Sequence, residues 1–369
     1  MHVDAILHTP LNIASHWDSE EYRDNVLAGT RIALYELDKE LGAGKFSKVK
    51  LGRHIISGDT VAVKIVEKSR VNEQRQHIFQ RELRILELLH HSNIVRFYEY
   101  INTLNQIYVV TELAHGLTVQ KWITQNGLLS EINALHIFSQ LVAAVNHLHT
   151  MYIAHRDIKG DNMLFDPKTG RVKLIDFGFA CYSAEGSKSK TFCGSLPYAA
   201  PELFSSKPYD AKPVDMWAMG VLLYFMLSGM LPFGGTTPYE LKTNIKRSDY
   251  TIHRVFSDNA VKLLGGLLQH DVLRRMTIKR VMKSSLFLDT RFHPDTLHIS
   301  TDFEDPDPRV QRLVHETHKT LIEEYNVSGE KLSEALRCGL HEPLTGLYRI
   351  KYVELCAKYF EPEIVASFF

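Results

Sequence analysis

The chain has 369 residues, 44% of them hydrophobic and 23% charged, with 43 Lys+Arg against 43 Asp+Glu. That balance excludes a largely disordered polymer and a repeat fibre, and the length fits two or three domains at ~150 residues each. Neutrality conceals a pattern: residues 1–30 and 290–369 are net acidic by four and five charges, so the body between them holds nine more bases than acids and suits an anionic ligand or partner.

Residues 1–33 read as an N-terminal extension. Met1-His2-Val3-Asp4 has no basic segment leading into an apolar run, so no secretory signal is expected. Cys181, Cys193, Cys338 and Cys356 are too scattered for a disulfide framework or a zinc site. His90/His91 and His147/His149 read as core or surface residues. A reducing, cytoplasmic setting is expected, with access to the nucleus left open. No dense Lys/Arg stripe with interleaved aromatics appears, so no nucleic-acid partner is expected. Oligomeric state is not legible.

From Leu34 to about Phe97 the signals are mostly strands. Val61, Val63 and Ile65 alternate with Ala62, Lys64 and Val66, which puts Lys64 on one face with Ala62. Leu41-Gly42-Ala43-Gly44-Lys45-Phe46-Ser47-Lys48-Val49 precedes a strand, and its glycines let backbone amides approach phosphates. Alone it is weak, because Gly-x-Gly is common in plain hairpins and the third glycine position is Ser47. A helix is predicted near Gln76 to His90, with Glu82 among its apolar positions Phe79, Leu83, Leu86 and Leu89. A carboxylate there needs a cation, and Lys64 is an ammonium that needs an anion. Two unrelated surface charges is the competing reading.

After a last strand at Ile107-Tyr108-Val109-Val110 the chain turns helical, as at Asn133 to His149. His155-Arg156-Asp157-Ile158-Lys159-Gly160-Asp161-Asn162-Met163-Leu164 follows, with Asp176-Phe177-Gly178 fourteen residues beyond Asn162. Asp157 suits acceptance of a hydroxyl proton, Asn162 and Asp176 offer hard oxygens for Mg²⁺, and Lys159 suits neutralisation of a transferred phosphoryl group. Ala200-Pro201-Glu202, Asp215-x-Trp217-x-x-Gly220 and Arg275 come next. Met216 to Phe233 runs without a charge, close to membrane-spanning length, but Gly220, Ser228, Gly229 and Pro232 interrupt it and a buried central helix is expected instead of a span. Pro294, Pro306 and Pro308 among acids mark a linker at 290–308. Three helices are predicted beyond it, over Val310–Tyr325, Glu330–Cys338 and Leu344–Lys358.

Over about residues 34–289 this pattern resembles the eukaryotic protein kinases. The resemblance implies an α+β, two-lobed kinase fold: a strand-rich N-lobe at 34–111 with one main helix, a hinge at 112–116 and a helical C-lobe at 117–289. It implies ATP between the lobes, held by residues 41–49, Ala62, Lys64, the gatekeeper Thr111 and the hinge residues Glu112 and Ala114. It further implies Lys64 on the α/β-phosphates and paired with Glu82, Asp157 as the base, Mg²⁺ on Asn162 and Asp176, and Glu202 paired with Arg275. Lys159 fits the serine/threonine pattern, so protein substrates with Ser/Thr hydroxyls are implied.

Thr191-Phe192-Cys193-Gly194-Ser195 before Tyr198-Ala199-Ala200-Pro201-Glu202 looks like the calmodulin-kinase group, especially kinases related to AMP-activated kinase. Phosphorylation of Thr191 by an upstream kinase is implied, with Arg156 as the waiting guanidinium; a loop ordered by its own contacts is the alternative. Ser187, Ser189 and Ser195 are rival sites, Ser195 being better placed to bond near Asp157. Trp17-Asp18 through Lys50, Asp215 to Phe233 and Leu344 to Ile350 resemble the Nim branch. Related kinases carry a ubiquitin-associated-like domain after the catalytic one, so residues 309–369 read as a helical regulatory or stabilising domain. Gly116-Leu117-Thr118, Gly160, Asp161 and Leu196 depart from the family pattern and bear on substrate preference. A catalytically weak scaffold acting through the C-terminal segment is the alternative function; it predicts a lost catalytic residue, and none is lost.

Overall fold

The computed structural model describes residues 24, 28–44, 47–70, 73–254, 256–288, 290, 292, 297–339 and 342–360. Expectations resting on residues 1–23, on Lys45 and Phe46, and on Pro294 lie outside the described residues. The chain begins with β1 (Arg31–Ile32), β2 (Tyr35–Ala43), β3 (Ser47–His54) and β4 (Thr60–Glu67), then α1 (Glu73–Leu88), β5 (Phe97–Asn102) and β6 (Gln106–Glu112). It continues through β7 (Leu117–Thr118), α2 (Val119–Asn126), α3 (Glu131–Thr150), β8 (Ile153–Ala154), β9 (Met163–Asp166), β10 (Arg171–Leu174) and β11 (Cys181–Tyr182). Helices follow: α4 (Ala211–Ser228), α5 (Pro238–Arg247), α6 (Asp258–Leu267), α7 (Ile278–Met282), α8 (Pro308–Glu323), α9 (Gly329–Cys338) and α10 (Pro343–Phe360). Two compact units result. One takes the described residues of Met1–Gln76, Val95–Ala114 and Thr296–Pro362, and the other those of His77–Ile94 and His115–Asp295.

The first unit is built on an antiparallel sheet in the order β1-β2-β3-β4-β6-β5. On β4 the period-two pattern holds: Val61, Val63 and Ile65 are buried, while Ala62 and Lys64 face the other way and are half-buried. Helix α10 completes this core, because Ile350 packs among Ile32, Tyr35, Val61, Val63, Tyr98 and Val110. The helix comes close enough that a Cβ at Gly346 would overlap the Glu99 carboxylate on β5. Helices α8 to α10 share a core of their own around Val310, Leu313, Leu321, Leu332, Leu347, Tyr348 and Tyr352. The end of the expected linker is packed as well, since Tyr348 and Tyr352 donate their hydroxyls to the Ser300 and His298 carbonyls at 2.7 and 2.8 Å.

The second unit surrounds α4, buried at every residue from Val214 to Leu227. The Asp210 side chain caps its start by accepting from Lys212 N, and Gly229 at φ 69 closes its end. The expected helix to Phe233 therefore stops at Ser228, because the left-handed cap and Pro232 turn the chain away. Phe233 folds back and stacks on Trp217, with centroids 5.4 Å apart. The helix expected to reach His90 likewise ends at Leu88. No helix among the described residues is long and apolar enough to cross a membrane.

Candidate active site

The catalytic loop lies between two short antiparallel pairs, β8 with β11 (Ala154↔Cys181) and β9 with β10 (Met163↔Leu174). Two side-chain-bearing residues take left-handed backbone there, Arg156 at φ 64 and Asp176 at φ 62, a conformation that costs about 1–3 kcal/mol each unless the surroundings enforce it. Asp215, fully buried at the start of α4, supplies that enforcement for Arg156. Its carboxylate accepts from Arg156 N at 2.7 Å, His155 N at 2.9 Å and His149 Nε2 at 2.9 Å. His155 packs edge-on against Phe177, centroids 4.8 Å apart, and so ties the catalytic loop to Asp176-Phe177-Gly178.

Asp157 is held at both oxygens. Ser195 Oγ donates to Oδ1 at 2.9 Å, and Lys159 Nζ sits 2.9 Å from Oδ2 while also donating to Ser195 Oγ at 2.8 Å. Asn162 Nδ2 donates to Oδ2 at 2.9 Å and to the Asp157 carbonyl at 2.8 Å. Ser195 thus lies beside Asp157, as its position in sequence suggested. With its amide nitrogen committed, Asn162 keeps its amide oxygen as the donor for a hard cation. No cluster of three or more His, Cys, Asp or Glu suited to a metal ion occurs among the described residues. Asn162 with Asp176 fits Mg²⁺ that takes its remaining ligands from phosphates and water, and does not fit an all-protein cage. Glu82 on α1 is buried, and a Cβ at Gly178 would lie 3.6 Å from Glu82 Oε2 and 3.4 Å from Asp176 Oδ1.

The expected nucleotide residues occupy the strand-rich unit. Gly42 faces Val49 and Ala43 faces Lys48 across β2 and β3, and Gly44 N donates to Ser47 O at 2.7 Å. Ala62 lies opposite Thr111 and Lys64 opposite Val109 on β4 and β6, with Leu41 exposed near the end of β2. Glu112 ends β6, and Ala114 lies just beyond it. The departures after the hinge have a steric reason. Gly116 at φ 103 lets β7 run against β9, where any Cβ would overlap the Phe165 backbone, and a Cβ at Gly160 would meet Gln120 N at 3.0 Å. Asp161 is exposed beside the loop.

Arg156 is engaged, not waiting. Its Nε donates to Phe179 O at 2.7 Å and Nη1 to the Tyr209 hydroxyl at 3.4 Å, because a buried guanidinium must satisfy its donors. Burial pushes the thiols of Cys181 and Cys193 up, against the downward pull of Arg156 beside them. The Thr191 side chain is exposed, while its carbonyl accepts the Tyr209 hydroxyl at 2.7 Å. Beside this segment an open groove of about 570 Å³ is lined by Phe192, Leu196, Leu203, Phe204, Tyr239 and Lys242 among others. Glu202 and Arg275 form the expected pair as a two-armed contact at 2.6 and 2.9 Å. Two residues that matter here had no assigned role from sequence. Asp215 stood out as the acid preceding an uncharged stretch, whereas nothing local marked Tyr209.

The protein kinase domain family matches residues 35–287. Serine/threonine-protein kinase SIK3 homolog of Danio rerio is 35% identical over 293 residues, 79% of this chain and 23% of that protein. SNF-related serine/threonine-protein kinase of Homo sapiens is 34% identical over 331 residues, 88% of this chain and 42% of the relative. Serine/threonine-protein kinase SIK1 of Mus musculus is 36% identical over 251 residues, 68% of this chain and 32% of the relative. The chain therefore spans between about a quarter and two fifths of the length of these relatives. Its match to the kinase domain, which includes the loop built on Asp157, covers more than half its length, and the chain belongs to the protein kinase family.

Proposed function

We propose that the chain is a protein kinase that transfers the γ-phosphate of ATP to serine and threonine hydroxyls of protein substrates and is activated by phosphorylation of Thr191 by an upstream kinase. The supporting observation is the carboxylate of Asp157, fixed at both oxygens by Ser195, Lys159 and Asn162. A substrate hydroxyl brought to that carboxylate is oriented by it and gives up its proton to it as transfer proceeds. Lys159 Nζ, 2.9 Å from Asp157, counters negative charge gathering between base and phosphoryl group. When bound, Mg²⁺·ATP supplies the phosphoryl group and neutralises its oxygens. Asn162 and Asp176 would hold the metal, Lys64 the α/β-phosphates, and the hinge backbone around Glu112 and Ala114 the adenine.

Thr191 offers its exposed hydroxyl to the upstream kinase. Arg156, and Arg81 close enough for its charge to act on the Cys181 thiol, supply the positive field for a phosphate there. Within the relatives of AMP-activated kinase we place the chain in the Nim branch, on Trp17-Asp18 through Lys50, Asp215 to Phe233 and Leu344 to Ile350.

Radiolabel transfer from ATP to a Ser/Thr peptide library by the Thr191-phosphorylated chain tests this reading. Asp157→Ala is expected to lower transfer by at least about a hundredfold. Equal labelling by wild type and the variant would sink it.

A further inference from the structure

Tyr209 lies just before α4, far in sequence from both the catalytic loop and Thr191, yet it touches both. Its backbone pairs with Ser189 in an antiparallel bridge, with Ser189 N donating to Tyr209 O at 2.8 Å and Tyr209 N to Ser189 O at 2.9 Å. Its phenol is buried, donates to Thr191 O at 2.7 Å and accepts from Arg156 Nη1 at 3.4 Å. Cys193 Sγ lies 4.0 Å from the same oxygen. A single hydroxyl therefore joins the catalytic-loop arginine to the activation segment, in the order Arg156 to Tyr209 to Thr191. We infer that Tyr209 is a positioning residue that latches residues 189–193 onto the catalytic loop while Thr191 is unphosphorylated. This rests on the kinase reading above.

The consequence reaches the base through Ser195. Gly194, at φ 88, passes so close to Arg156 that a Cβ there would lie 2.5 Å from the Arg156 carbonyl. Ser195 follows directly and donates to Asp157. Between the Thr191 carbonyl and Ser195 the segment has little freedom, so the anchor on Thr191 sets where Ser195 meets Asp157 and where a peptide hydroxyl must enter. Burial, ahead of the nearby Cys193 thiol and against the pull of Arg156, moves the phenol up to about 12, so it stays a donor at neutral pH. A phosphate on Thr191 brings new charge-assisted bonds to Arg156 and makes the phenol dispensable. The latch therefore supports basal activity, and phosphorylation overrides it.

The test compares Tyr209→Phe, which deletes one oxygen, with Ser189→Pro, which deletes one amide of the bridge in an accessible loop and leaves the buried core intact. Ser183→Ala, which removes a neighbouring 3.3 Å bond to Asp210, is the control. In unphosphorylated protein, Tyr209→Phe and Ser189→Pro are expected to raise the peptide KM about five- to tenfold with kcat changed less, as for one lost hydrogen bond. Phosphorylation of Thr191 restores wild-type KM in both, and the control changes neither value. Trypsin cleavage between Lys190 and Thr191, followed on unphosphorylated protein, is expected to accelerate by a similar factor in both variants but not in the control. Unchanged KM and cleavage, a defect that phosphorylation leaves in place, or an equal effect in Ser183→Ala overturns the inference. If wild type labels no more than Asp157→Ala the kinase reading fails, and the cleavage rates still decide the latch.

Discussion

Asp215 does the most for the catalytic loop without reaching a substrate. Buried completely, it converts three donors of residues 149–156 into fixed points and so holds Arg156 in left-handed backbone. Glu202 and Arg275 show the same economy. The Arg275 side chain is 1% exposed, stacks 5.1 Å over Trp217 and finds its anion in Glu202. Removing that anion leaves a buried cation uncompensated, so Glu202→Gln is expected to lower the free energy of unfolding by about 3–5 kcal/mol. Thermal and denaturant unfolding measure this, and a loss under about 1 kcal/mol contradicts it. At this scale the cluster of Asp157, Lys159 and Asn162 was legible because the three fall within one short loop, and the fold gathers them around the Asp157 carboxylate. Tyr209 was not, because its role arises only when chain segments 53 residues apart meet at Arg156.

Helix α10 and strand β5 meet over an unusual set of groups. Tyr35 donates to Glu99 Oε1, Glu99 Oε2 has no hydrogen-bond partner among the described residues, and the Arg349 guanidinium stacks 5.4 Å over Phe97. Burial pushes Glu99 up to about 8 from an ordinary 4.5, with the Tyr35 bond and Arg349 pulling down. Nearby His54 goes the other way, lowered by burial to about 4 from 6.5, with Asp59 and Lys351 acting on it in opposite senses. The signs follow from linkage. Glu99 keeps its proton in the folded state, so its contribution to stability is complete below about pH 4.5 and is lost as pH rises to about 8. His54 contributes above about pH 6.5 and loses that contribution as pH falls through about 4. Between about pH 6.5 and 8 Glu99 acts alone of the two, and stability is expected to fall by about 1–2 kcal/mol. Glu99→Gln is expected to flatten that slope in denaturant unfolding run across the range, and a slope retained in the variant contradicts the assignment. A helix over Leu344–Lys358 was visible in sequence; that it is buried against β5 was not, because a local helical pattern does not show what the helix packs on.

On the scale of the molecule, the acidic C-terminal segment reaches the strand-rich unit through cations among the described residues. Its cations make the contact: Lys351 pairs with Asp59 at 2.9 Å, and Arg349 serves Phe97 and Glu99. With Ile350 inside the core of the strand-rich unit, α8–α10 complete that unit and are not an independent appendage. Truncation before residue 297 is expected to remove more than about 3 kcal/mol of stability, the equivalent of uncovering two apolar side chains, and to speed hydrogen exchange in β5. Unchanged melting and exchange contradict that expectation. By itself the sequence determined the kinase fold and singled out Asp157, Asn162 and Asp176 as candidates, because motif spacing and hydrophobic period are local properties that survive in one dimension. Only the tertiary structure decided what supports them: the three bonds to Asp215, the Tyr209 bridge and the sheet beneath α10. Each needs groups distant in the chain to be desolvated together, and a buried donor, acceptor or charge takes whichever partner the fold brings within about 3 Å.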